Sequence, residues 1–264
     1  MKLKDKIAIV VGAGQTPGVT IGNGRATAIR FAREGAKVLL VDHDIDSAEE
    51  TSSLIKDEGG RASVFQADIT READCKAISD TCRERYGRID ILHNNVGMSE
   101  GDANILELKE EDWLRLMDIN IKGMIFTCKH VLPVMREQKS GVIINISSTA
   151  SICTRRPITY RASKAGINAI TKTLALENGP YGIRVNAILP GLMDTPMAIE
   201  RRVRESGEDR DAVRKQRDAQ VPLGGKMGTA WDVAAAAVFL ASDEARFITG
   251  VLLPVDGGMS VKIG

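Results

Sequence analysis

Short apolar runs alternate along the chain with longer stretches whose apolar residues recur every three or four positions. Glycine, proline or aspartate marks most of the junctions. The runs at 7–11, 37–41, 63–66, 89–94, 142–147, 184–189 and 251–255 are predicted as strands. Most are continuously apolar, which suits parallel strands covered on both faces. Between them the pattern predicts helices at 25–34, closed by Gly35, and at 232–241, rich in alanine. Helical spacing also runs across 110–137 and 159–178. This βαβ order predicts an α/β fold, a three-layer doubly wound parallel sheet of about seven strands, with its ligand site at the carboxyl ends of the strands.

The alternation is unbroken, so a single domain is expected over 1–264. The stretch 200–220 is densely charged and lacks a strong apolar face. It reads either as a solvated helical excursion or as part of a mobile substrate lid over 196–226.

Charge and cysteine content narrow the function classes. Lys and Arg total 36 against 35 for Asp and Glu, so nothing marks the chain for nucleic acid or an acidic membrane surface. Cys75, Cys82, Cys128 and Cys153 form no CxxC pair and have no histidine-rich surroundings, so no metal site or redox dithiol is expected. They read as free thiols of a reducing compartment. The opening residues lead straight into a strand, with no signal-type apolar region, and no run is long enough to span a bilayer. A cytoplasmic location is the expectation.

Two glycine clusters follow the first strand. Gly12-Ala13-Gly14 begins a G-x-G pattern that fails at Pro17, and Gly22-Asn23-Gly24 directly precedes the first amphipathic helix. Glycine before a helix lets the backbone approach a pyrophosphate, whose charge the unpaired N–H groups favour. Gly22 and Gly24 therefore read as the phosphate-facing pair. The second strand ends in Asp42, whose carboxylate suits the adenosine ribose hydroxyls and repels a 2′-phosphate, so NAD is the expected cofactor. Asp68, followed by Ile69, ends the third strand; it reads an adenine edge or caps a helix.

Downstream come Asn94-Asn95-Val96-Gly97, Asn120 in a long helix, Ser147-Ser148 after the fifth strand, and Tyr160-Arg161-Ala162-Ser163-Lys164. Tyr160 and Lys164 share a helix face, where an ammonium stabilises a phenolate and makes Tyr160 a general acid/base. A serine hydroxyl there could steady charge developing on a substrate oxygen.

Taken together these motifs resemble the short-chain dehydrogenase/reductase family, in its compact single-domain branch with a Rossmann fold. The resemblance extends from about Lys6 to Gly258 and includes Pro190-Gly191-Leu192-Met193-Asp194-Thr195-Pro196 and Val255-Asp256-Gly257-Gly258. It implies a catalytic tetrad of Asn120, Ser148, Tyr160 and Lys164, with Tyr160 exchanging the alcohol proton and Asn120 holding a relay water. It implies Lys164 on the nicotinamide ribose, Asn95 and Gly97 lining the adenosine side, and Pro190, Gly191 and Thr195 at the carboxamide end. It also implies a homotetramer.

Three departures from the family pattern leave alternatives open. Six extra residues between Gly12 and Gly22 make the loop bulge, over the pyrophosphate or into solvent. Strand alternation lets only one of Ser147 and Ser148 face the substrate; Ser148 is chosen and Ser147 stays open. Arg155 and Arg156 could clamp an anionic substrate or be plain surface arginines. The expected activity is interconversion of a secondary alcohol and a ketone with NAD(H). The rivals are an NADPH-dependent ketone reductase, using Arg25 or a loop arginine for the 2′-phosphate, and a non-catalytic cofactor-binding scaffold.

Overall fold

The computed structural model describes residues 1–153 and 158–262. Its first half runs β1 (Ile7–Val11), α1 (Asn23–Arg33), β2 (Lys37–Asp42), α2 (Ile45–Asp57), β3 (Arg61–Gln66), α3 (Glu72–Tyr86) and β4 (Ile91–Asn94). The second half runs α4 (Glu110–Met117), α5 (Gly123–Gln138), β5 (Gly141–Ile146), α6 (Ile158–Asn178) and β6 (Ile183–Pro190). It continues with β7 (Met193–Asp194), α7 (Pro196–Ser206), α8 (Arg210–Asp218), β8 (Gly228–Thr229), α9 (Ala230–Ala241) and β9 (Leu252–Val255).

The doubly wound sheet is as expected. Seven strands lie parallel in the order β3-β2-β1-β4-β5-β6-β9, with Ile7 beside Lys37 on one flank of β1 and Ala8 beside Ile91 on the other. Strand alternation divides the core between two layers. Ala8 and Val10 of β1 pack with Phe31, Val238 and Leu240 on the α1–α9 side, whereas Ile7, Ile9 and Val11 pack with Ile78, Val131 and Met135 on the α3–α5 side. The chain reverses direction of winding between β1 and β4, and there the carboxyl strand ends leave a crevice.

Two segments differ from the sequence pattern. The helical stretch across 110–137 is not one helix: a π-turn at Asp118–Lys122 joins α4 to α5 and carries Asn120. Such turns widen one helical loop and re-aim its side chains, and a hydrophobic pattern does not reveal them. The charged stretch after β7 folds into α7 and α8, which do have an apolar face. Ile199, Val213, Val221 and Met227 form a small buried cluster of their own, too widely spaced among charges to stand out as a stripe.

Candidate active site and cofactor groove

A cleft of about 1990 Å³ opens over the carboxyl ends of the strands and runs from Asp42 and Asp68 at one end to Tyr160, Arg201 and Arg202 at the other. Pockets for one small ligand occupy roughly 300–1,000 Å³, so this cleft has room for two.

At the first end, β1 turns sharply at Gly12, whose φ of 81° favours glycine. Gly24 is glycine for a reason other than the expected one. A Cβ there would lie 1.8 Å from the Gly12 carbonyl oxygen, so the missing side chain lets α1 press against the strand turn. What remains open toward the groove is the start of α1 itself, with Gly22 as the N-cap and Asn23 in the first turn. The first N–H groups of a helix have no partner within it. A polyanionic dinucleotide fits this donor set.

The inserted loop does both: its first residues border the groove, and its tip is exposed, with Val19 81% accessible. Gln15, Thr16 and Pro17 line the cleft, and at Gly18 a Cβ would sit 2.8 Å from Pro196 Cβ and 2.9 Å from Glu200 Cγ of α7. Gln15 holds the return of the loop, accepting the Gly22 N–H at 2.9 Å.

Asp42 is buried at the tip of β2, where it accepts the Gly14 N–H at 2.8 Å and the Asp44 N–H at 3.1 Å. The glycine loop thus holds the carboxylate facing the groove. Arg25 is spent elsewhere: its guanidinium donates to Thr51 Oγ1, the Ser47 carbonyl and Glu50, under α2. Asp68 is exposed and makes a tight turn with Thr70 instead of capping α3, whose N-cap is Arg71. Burial works against its charge, but the Thr70 hydrogen bonds prevail and hold its carboxyl below the ordinary value. Asp68 and Ile69 both line the cleft.

At the second end the two serines separate. Ser147 Oγ donates to the Lys164 carbonyl at 3.0 Å and is buried against α6, whereas Ser148 Oγ accepts the Ala150 N–H at 3.1 Å and stands close enough to the Tyr160 phenol to favour its ionisation. Lys164 Nζ donates to the Ile146 carbonyl at 2.8 Å and lies 5.7 Å from the Tyr160 ring centroid. Burial brings its ammonium down to about 8. Burial also raises the Tyr160 phenol above its ordinary value, against the pull of Ser148, Arg201 and Arg202. The expected depression of Tyr160 by Lys164 is therefore corrected for the protein alone, because the same burial disfavours both charged forms and the ammonium is bonded to backbone.

Gly97 belongs to this end and not to the adenosine side. A Cβ on it would lie 2.6 Å from Lys164 Nζ, so glycine there is what admits the ammonium. Asn95 stays near the glycine turn, donating to the Gly12 carbonyl at 3.1 Å, with Val96 lining the groove beside it. Asn120 is fully buried, and its side chain is occupied: Oδ1 accepts the Met98 N–H, and Nδ2 donates to the Met98 carbonyl and Ser163 Oγ. Pro190, Gly191 and Thr195 line the groove where β6 ends, with the Gly191 N–H on the Val255 carbonyl at 2.9 Å.

Asp102 was not singled out from the sequence. Its carboxylate accepts the N–H groups of Thr159 at 3.1 Å and Tyr160 at 2.7 Å, so a loop residue 58 positions away caps the helix that carries the tyrosine. N-cap patterns are local, and no local pattern signals a cap supplied from so far. Arg155 and Arg156 lie outside the described residues. Among the described residues no group of His, Cys, Asp or Glu is arranged to hold a metal, and no helix is long and apolar enough to cross a membrane.

Comparison with known proteins agrees with this geometry. A family model described as enoyl-(acyl carrier protein) reductase matches residues 18–260. The chain is 36% identical to the 3-oxoacyl-[acyl-carrier-protein] reductase FabG of Thermotoga maritima, over 99% of this chain and 100% of that one. It is 37% identical to glucose 1-dehydrogenase 2 of Bacillus subtilis, over 98% and 96%. A Burkholderia xenovorans crystal structure described as a short-chain dehydrogenase/reductase superposes with a TM-score of 0.94 at 40% identity, covering 100% of this chain and 99% of that one.

Proposed function

The chain belongs to the short-chain dehydrogenase/reductase family and is an oxidoreductase acting on CH–OH groups; from that premise we propose that it interconverts a secondary alcohol and a ketone with NAD(H), using Tyr160 as general acid/base. The observation that carries this reading is one continuous cleft with the Asp42 carboxylate at one end and the Ser148–Tyr160 pair beside Lys164 at the other.

In this reading the start of α1 holds the pyrophosphate, Asp42 accepts the adenosine ribose hydroxyls, Asp68 and Ile69 border the adenine, and Pro190, Gly191 and Thr195 border the carboxamide. When bound, NAD supplies the hydride acceptor at the substrate carbon. Lys164 meets the nicotinamide ribose next to Gly97. Ser148 donates to the substrate oxygen and fixes its distance from the Tyr160 phenol. In oxidation Tyr160 removes the hydroxyl proton, and in reduction it returns one; the Asn120 carbonyl holds the water that carries the proton onward. The complete Ser148, Tyr160 and Lys164 set argues for turnover over a scaffold role, because cofactor binding alone needs no acid/base pair.

Two features support NAD. Asp42 would repel a 2′-phosphate, and Arg25, the cation named for such a phosphate, is tied to Ser47, Glu50 and Thr51. The reading treats 1–264 as one domain, with α7 and α8 as a lid over the substrate. Exposed Leu114, Ile125 and Leu176 on α4, α5 and α6 support a homotetramer packed through those helices.

Steady-state rates with a panel of secondary alcohols and ketones, each run with NAD(H) and NADP(H), test the assignment. A kcat/KM at least tenfold higher with NAD(H) is expected, and a preference for NADP(H) overturns the cofactor half of the reading.

A further inference from the structure

The adenosine end of the cleft contains one side chain of a type that changes charge near neutral pH. Asp42, His43, Asp44 and Asp68 line that end, and among the described residues no Lys or Arg lines it beside them. His43 directly follows the carboxylate on which the preference for NAD rests. Its Nδ1 stands 2.9 Å from Asp42 Oδ1, with the imidazole 84% exposed and the Asp42 side chain only 10% exposed. Gln66 Nε2, at the tip of β3, donates to the His43 carbonyl at 2.9 Å and fixes the backbone there. The imidazole is felt at the tip of β3 as well. On the Asp68 carboxyl, burial pushes up, the Thr70 hydrogen bonds pull down, and the charges of Arg71 and His43 add to that pull. His43 is thus within electrostatic reach of both strand-tip acids.

The other charged groups around it are fixed or committed. Asp42 takes the Gly14 N–H on Oδ2 and the Asp44 N–H on Oδ1. Asp44 caps α2, accepting the Ser47 N–H at 3.2 Å, and Asp46 in the first turn of that helix is exposed. On α3, Arg71 is 69% exposed and lies 3.6 Å from Asp74, whose other oxygen accepts the Asp68 N–H. Arginine keeps its charge at any pH a folded protein meets. Arg25 is held under α2 by Thr51, Ser47 and Glu50.

Histidine is the side-chain type that exchanges a charged for a neutral form between pH 5 and 8. With His43 neutral, the tip of β2 presents a carboxylate, which accepts ribose hydroxyls and repels a 2′-phosphate. With His43 protonated, the same tip presents two opposite charges side by side. The repulsion is offset, and a cation stands next to the group that rejects the phosphate. The pair is solvent-screened, so the effect on affinity is a few-fold one.

We infer that His43 is a specificity-determining residue: its proton state sets how strongly Asp42 discriminates against a 2′-phosphate, so selectivity for NAD over NADP is greater with the imidazole neutral than with it protonated. This rests on the NAD reading above and adds the condition under which that selectivity is expressed.

The test is equilibrium binding of oxidised NAD and NADP, by titration calorimetry at pH 5.5 and 8.5 and equal ionic strength; it needs no substrate and no turnover. A phosphate monoester itself gains a proton at about pH 6, so each change in the ratio Kd(NADP)/Kd(NAD) is compared with that of a variant lacking the imidazole. On acidification the ratio for the unmodified protein is expected to fall about threefold or more beyond the fall in His43→Gln. His43→Arg, a fixed cation, is expected to start at pH 8.5 with a ratio about threefold or more below that of the unmodified protein, and then to follow His43→Gln in its pH dependence. His130→Gln, at an imidazole on α5 that meets Glu72, leaves the unmodified behaviour as it was. Equal falls in the unmodified protein and His43→Gln overturn the inference, and the NAD reading survives them if NAD binds more tightly at pH 8.5. Tighter NADP binding at pH 8.5, with a fall that still depends on His43, retains the inference and overturns the NAD reading. Binding of neither dinucleotide at either pH overturns both.

Discussion

The two ends of the cleft differ in charge: one is lined by carboxylates with no Lys or Arg beside them, and the other mixes arginines with Glu100, Asp102 and Glu205. Asp42, Asp44 and Asp68 line the end below α2, whereas Arg201, Arg202 and Arg217 line the end below α7 and α8. The chain as a whole carries a net charge of only +1, so its composition averages away a polarity that the fold creates by bringing β2 and β3 to one side and α7 to the other. A near-neutral total says nothing about a small polar ligand held lengthwise between two fields. In the proposed reading the carboxylate end receives the hydroxyl-rich adenosine and the other end the substrate.

The sharpest way to probe this division is to remove the group between the ends. Tyr160→Phe is expected to lower turnover about 10³-fold, as for loss of a general acid/base, with charged and neutral substrates alike. Dinucleotide binding followed by fluorescence should hardly change, and retained turnover would break the proposed mechanism. The next largest effect is expected at the acidic end. Asp42→Ala should weaken NAD binding by about 10–100-fold, the cost of losing hydrogen bonds to a charged acceptor, while NADP binding improves. Titration calorimetry with both dinucleotides reads this directly, and equal losses for both would show that Asp42 only supports the glycine loop.

Asp102 tests whether Tyr160 is positioned from outside its own helix. Asp102→Ala removes the acceptor for two N–H groups at the start of α6 and is expected to cost about tenfold in kcat, with less change in KM. Asp102→Asn should recover part of the loss, and its pH–rate profile should stay closer to that of the unmodified protein. The smallest effect concerns neither end but the sheet beneath both. His93 is fully buried in β4, edge-on to Phe31 at 5.9 Å, with both ring nitrogens unpartnered and its pKa lowered by burial from 6.5 to about 3. The unfolded chain therefore takes up a proton below pH 6.5 that the folded chain refuses, and stability falls as pH drops from 6.5 towards 3. That costs about 2 kcal/mol by pH 5, and His93→Phe should flatten this limb in Tm measured against pH, without altering the preference of either end.

The sheet was legible because its strands are continuous runs of β-branched and aliphatic residues, and covered parallel strands need nothing else. The Tyr160–Lys164 pair was legible because four residues make one helical turn, and Asp42 because strand tips face the crevice. What was not legible depends on contacts between distant segments. The Ser147 hydroxyl turns to the carbonyl of Lys164, Gly97 makes room for an ammonium 67 residues on, and Asp102 caps a helix in another part of the chain. Arg201 and Arg202 illustrate the same limit. Within a run dense in both charges they read as solvent-facing, and only the path of α7 over the strand ends turns them inward.

The meeting of Gly18 with Pro196 and Glu200 has a consequence for transplanting parts of this scaffold. The inserted glycine loop and the first turn of α7 are two covers that lean on one another, so the length of one is matched to the seat of the other. A shorter loop borrowed from a relative would leave Pro196 and Glu200 without their neighbour, and an α7 borrowed alone would meet a loop shaped for something else. Loop and helix are an inseparable pair for anyone recombining this enzyme, although 177 residues of sequence stand between Gly18 and Pro196.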